Sequence, residues 1–119
     1  DFIHVHDVAR AVVAAAEAEA TLTGALNVCT GRPTTIAEVA RVLADLMDIQ
    51  IEHQLVGQYR AGDIRHCVGD PSQVADQLGF SAEVELASGL VELVQWADSQ
   101  VAVDDVEIAG ASWMSRPTP

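Results

Sequence analysis

The sequence predicts an α/β fold: one small domain of short strands and about four helices. Apolar runs of strand length alternate with segments of helical periodicity, and the helical segments open or close on recognisable capping residues. Half of the 119 residues are apolar, enough for a single buried core. Residues 1–99 carry this alternation as one unit, whereas 100–119 form an acidic tail in which it fades.

Phe2, Ile3 and Val5 make the first strand-like run, and Asp7 then stands where an N-cap carboxylate would accept the free amides of a helix over residues 8–19. Ala9, Val12, Val13 and Ala16 fall on one face of that helix and predict its buried side. Gly24 marks a turn, Ala25 to Val28 a second strand, and Thr30-Gly31-Arg32-Pro33 a break. Thr35-Ile36-Ala37-Glu38 is a capping box, in which the Thr hydroxyl and the Glu carboxylate satisfy each other's amides at a helix start. Ile36, Val39, Ala40, Leu43 and Met47 form the stripe expected to be buried.

Residues 51–56 alternate weakly and predict a third strand, followed by the polar, glycine-containing segment Gly57-Gln58-Tyr59-Arg60-Ala61-Gly62-Asp63. Asp70 before Pro71 is an N-cap pattern, and Gly79 after Leu78 a helix stop. A last helix is expected from Leu86 to Ser99, burying Leu86, Leu90, Leu93 and Ala97, with Trp96 as a core anchor.

Eighteen acidic residues against six arginines give a formal charge of −12, which disfavours nucleic acid and anionic membrane surfaces as partners. It leaves open an anionic small molecule, which needs only one well-placed guanidinium. The first residues have no basic stretch ahead of an apolar run, and no run approaches spanning length, so a cytoplasmic protein is expected. Cys29 and Cys67 lack metal-ligand spacing and read as buried free thiols. There is no lysine.

Four segments in order carry a resemblance. Asp1-Phe2-Ile3-His4-Val5-His6-Asp7-Val8-Ala9-Arg10-Ala11 resembles the RDFIHVxDVAxA segment of the NAD-dependent epimerases and dehydratases, extended short-chain dehydrogenases that act on nucleotide sugars. Asn27-Val28-Cys29-Thr30-Gly31 is similar to their NVGSG, with Cys29 in place of a glycine. Arg60-Ala61-Gly62-Asp63-Ile64-Arg65 resembles RxGDxR, and Asp70-Pro71-Ser72 with Leu78-Gly79-Phe80 resembles ADxSK with LGW. The match runs to about residue 99, and Cys29 with Gly57-Gln58-Tyr59-Arg60 leans towards the 4-epimerases.

The resemblance implies the C-terminal, substrate-binding part of such an enzyme, with most of the Rossmann sheet lying elsewhere. It implies a nucleotide-sugar substrate, NAD bound by an amino-terminal part, and a homodimer as the full-length enzyme. A 4,6-dehydratase, a reductase or a noncatalytic nucleotide-sugar-binding module are the alternatives. The diphosphate of such a substrate calls for a planar multidentate cation and its ribose diol for a carboxylate, and the family's motif carries these roles onto Arg60 and Asp63. Without the resemblance, the same two residues would read as a solvated loop ion pair. Gly62 between them frees the backbone to turn.

No catalytic residue and no cofactor-binding residue is expected within the chain. The eight glycines never adopt the spacing of a dinucleotide loop. The family's catalytic base is a tyrosine four residues before a lysine, and Tyr59, the sole tyrosine, is followed at that distance by Asp63. His4 and His6 have a spacing compatible with a metal but lack an evident third ligand, so no metal site is expected. His66 beside Cys67 lacks a third group to orient it.

Overall fold

The computed structural model of the chain describes residues 1–19, 21–50, 52 and 62–101. Four helices follow one another: α1 Val5–Glu17, α2 Ile36–Leu46, α3 Ser72–Leu78 and α4 Leu86–Asp98. α1 packs on α3, and α2 on α4.

The helical half of the α/β expectation is met, but no strand occurs among the described residues. The run from Phe2 to Val5 is extended only as far as His4, and Val5 already opens α1. Residues 25–28 are likewise non-helical, without a strand ladder. A strand needs a partner with repeated backbone pairs, and among the described residues neither segment has one; instead the Asp1 carboxylate takes the amides of Thr30 and Gly31. The third expected strand, apart from Glu52, and the tail beyond Val101 lie outside the described residues.

α1 starts three residues before its expected first residue, because His4 caps it: His4 is extended, and its Nδ1 accepts the His6 amide at 3.3 Å. Asp7 is therefore not a cap. It sits in the first turn and is wholly buried. α2 opens on the expected box, with Thr35 Oγ1 accepting the Glu38 amide at 3.1 Å and the Glu38 carboxylate accepting the Thr35 amide at 2.6 Å. These bonds hold the Glu38 carboxyl below its ordinary value. α2 closes through Asp48 at φ 51°, a left-handed position usually given to glycine, with the Ile49 amide returning to the Ala44 carbonyl at 3.0 Å.

The Asp70 carboxylate accepts the Ser72 amide at 2.9 Å, and that bond lowers its pKa. Gly79, at φ 62°, ends α3 by donating to the Ala75 carbonyl. The core is small: Ala11, Val74 and Phe80, with Leu26, Val28 and Leu78 packed around them. Phe80, not Trp96, is its aromatic anchor, for Trp96 is 61% exposed. Ala9, Val12, Val13 and Ala16 face outward, as do Ile36 and Met47, while Ala11 and Ala44 take the buried sides of α1 and α2. On α4, Leu90 is buried and Leu86 half-buried, whereas Leu93 and Ala97 are exposed.

Candidate functional site

Of the two expected ligand residues, Asp63 is described and Arg60 lies outside the described residues. Asp63 is exposed, as are Gly62 and every residue from there to Val68. Gly62 has φ +90°, a conformation that a residue with a Cβ adopts only under strain, and a Cβ built there would meet nothing within 4 Å among the described residues, so the glycine is needed for the turn itself.

This segment returns to the folded body at Cys67 and Gly69. The Cys67 carbonyl accepts from the Asp1 nitrogen. Gly69 passes so close to Cys29 that a Cβ would lie 2.5 Å from its Sγ. Beside this junction the Asp1 carboxylate accepts from the Thr30 amide at 3.0 Å, the Thr30 hydroxyl at 2.7 Å and the Gly31 amide at 2.7 Å. Gly31 itself has φ +73° and abuts the Pro71 ring. Asp1 and Thr30 are structurally central, and the sequence reading gave neither a role. The signal available was their place in the two motifs nearest the start of the chain.

Two clefts border the junction. One, of about 270 Å³, is walled by Phe2, Thr30, Arg32, Pro71, Phe80 and Glu85, and the Arg32 Nη1 at its rim lies 2.8 Å from both Glu85 carboxylate oxygens. The other, of about 370 Å³ and mostly apolar, runs between Phe2, Ile3 and α4 residues Leu86, Leu90 and Leu93. Asp63 lines neither.

The third ligand that the sequence did not reveal for His4 and His6 is Glu92, brought in from α4, with the donor atoms of all three within 4.8 Å of one another. His4 Nδ1 accepts the His6 main-chain amide at 3.3 Å, His4 Nε2 lies 3.5 Å from a Glu92 carboxylate oxygen, and the His4 and His6 rings meet edge-on with centroids 4.8 Å apart.

A dinucleotide fold offers its pyrophosphate the free amides of a helix start behind a strand and a glycine turn. Among the described residues no strand precedes a helix, one amide at the start of α1 is taken by His4 and one at the start of α2 by Thr35, and α3 and α4 open without a side-chain cap. No described helix is long and apolar enough to cross a membrane.

No protein-family model matches the chain. Curated proteins do. It is 33% identical over 96 residues to dTDP-L-rhamnose 4-epimerase of Burkholderia thailandensis, covering 81% of this chain and 26% of that protein. It is 31% identical over 101 residues to UDP-glucose 4-epimerase of Neisseria meningitidis, covering 83% and 30%, and 29% identical over 103 residues to that of Bacillus subtilis, covering 85% and 30%. The chain thus spans less than a third of the length of these relatives. Similarity to 4-epimerases across four fifths of the chain, added to four motifs in the family's order, identifies it as a member of the epimerase and dehydratase family over the part that it shares with them.

Proposed function

We propose that the chain is the nucleotide-sugar-binding portion of an NAD-dependent nucleoside-diphosphate-sugar 4-epimerase, incomplete for catalysis on its own. The observation that carries this is the similarity to 4-epimerases of two different nucleotide sugars, extending over 81–85% of the chain. What those relatives share is a diphosphate bridging a nucleoside and a hexose, so the portion common to them is best matched to the diphosphate and ribose. Arg60 supplies the guanidinium for the diphosphate, and Asp63 accepts from the ribose hydroxyls. Gly62, between them in sequence, lets the backbone turn or approach the ligand, and its positive φ supports this.

NAD, when bound by sequence outside these 119 residues, supplies hydride acceptance and return. Within the chain the tasks are to bind the nucleotide and to hold the sugar in register. The absence of any lysine supports this division, since a tyrosine base needs a neighbouring cation to ionise.

Calorimetry on the full-length protein with UDP-glucose and dTDP-L-rhamnose tests the reading. Arg60→Ala is expected to weaken binding by about 2–5 kcal/mol, the range for removing one partner of a buried charge pair. Unchanged affinity would return Arg60 to the solvated surface. Binding without epimerisation of either sugar would favour a dehydratase, a reductase or a noncatalytic module.

A further inference from the structure

A Cβ built on Gly89 would lie 2.7 Å from His4 Cδ2, so the glycine is what admits the His4 ring against α4. Glu92 stands three residues further along α4, on the same side of the helix, and sets a carboxylate oxygen 3.5 Å from His4 Nε2. His6 reaches them from the first turn of α1, with one ring nitrogen within 4.8 Å of both other donor atoms. Residues 4 and 6 are thus brought to residue 92 by the packing of the start of α1 on α4, and the three donors converge on one point. His4 is half-buried, which fixes its ring, whereas the His6 and Glu92 side chains are exposed and have room to turn.

We propose that His4, His6 and Glu92 bind a divalent transition-metal ion, Zn²⁺ by the chemistry of the donor set, which clamps the start of α1 to α4. Two imidazoles and one carboxylate suit a borderline-soft ion and leave a fourth position for water, whereas Ca²⁺ and Mg²⁺ favour oxygen alone. Ligand atoms around tetrahedral Zn²⁺ stand about 3.3 Å apart, so His4 Nε2 and Glu92 are already at the right separation. Rotation of the His6 and Glu92 side chains closes the remaining gap. An ion on Nε2 requires the His4 ring proton on Nδ1, which gives up the bond from the His6 amide; at 3.3 Å that bond is long and its net worth small. The positive end of α1 opposes a cation, but the Glu92 carboxylate carries a full charge against it, and the chain's net charge of −12 draws cations towards it.

The test titrates the full-length protein with ZnCl₂ by calorimetry, as wild type, His6→Ala and Glu92→Gln. His4 is left in place, because it caps α1 and packs on Gly89. Each substitution is expected to weaken Zn²⁺ binding at least about tenfold, since even a partner one bond removed from the ion is worth that much. Either variant binding as tightly as wild type overturns the assignment, because the ion then sits elsewhere. A wild type that takes up no Zn²⁺ at about 1 mM overturns it too. Nitrogen-15 NMR of the histidine rings in the wild type reads the same site without a substitution, and decides if a variant fails to fold. Zn²⁺ is expected to shift both the His4 and His6 rings and to move the His4 proton to Nδ1, and rings that do not respond overturn the proposal.

Discussion

A carboxylate with no exposed surface must find a donor for each oxygen, and Asp7 does. Arg10 Nη2 donates to one oxygen at 2.6 Å, and the amides of Glu83 and Val84 donate to the other at 3.1 and 3.0 Å. Arg10 is itself held by the Ser81 carbonyl and Glu83, and lies 5.2 Å from the centroid of the Phe80 ring. Burial alone pushes the Asp7 carboxyl up, but the bonds from Arg10, Val84 and Glu83 outweigh it, and its pKa falls below the ordinary 3.8. A depressed folded-state pKa means stability that is fully present above about pH 4 and is lost as pH falls from 3.8 through the folded value. Asp7→Asn is expected to cost about 3 kcal/mol at pH 7, by stranding donors around a buried site, and to flatten the fall in stability below pH 4. Urea unfolding from pH 3 to 7 measures both, and a variant that keeps the wild-type slope would dismiss Asp7 as its source.

At the scale of elements, the helix starts differ in how they are secured. α2 relies on a reciprocal box between residues three apart, so Thr35→Ala should lower stability by about 1 kcal/mol and reduce amide protection in the first turn of α2, read by hydrogen exchange. Signals of this range were legible in the sequence: the Thr35 box, the Asp70–Ser72 bond and the left-handed Gly79 all involve partners within four residues. Asp7 has the same chemistry as a cap and was read as one, because nothing local reveals that its amides would come from residues 83 and 84. Of the short apolar runs, 2–5 and 25–28 form no strand ladder among the described residues for a related reason: a strand exists only with a partner, which the local sequence does not name. In the candidate segment the motif points to a turn at Gly62, whose φ is +90°, while the Asp1–Thr30 bond has no local signal, since it joins positions 29 apart.

For the molecule as a whole, periodicity located an apolar face on α1 but not what lies against it. Val5, Val12 and Val13 are 54–68% exposed, and Trp96 and Leu93 add to the apolar surface of α4. Exposed apolar area of this kind favours association. The 119-residue chain is accordingly expected to self-associate at micromolar concentration, and replacing Val12 and Val13 together by Lys should return it towards monomer. Sedimentation velocity distinguishes the outcomes: a wild-type chain that stays monomeric would remove the argument.

The Asp7 bonds to residues 83 and 84 also govern cooperativity. They close loops 76 and 77 residues long, a closure cost that grows only with the logarithm of loop length but that must be met before the buried charge has its donors. Helices such as α2 can form locally within microseconds, whereas these long-range bonds form later. Neither the first half nor the second contains both the charge and the amides that neutralise it, so a cut between them would leave a buried carboxylate without two of its donors.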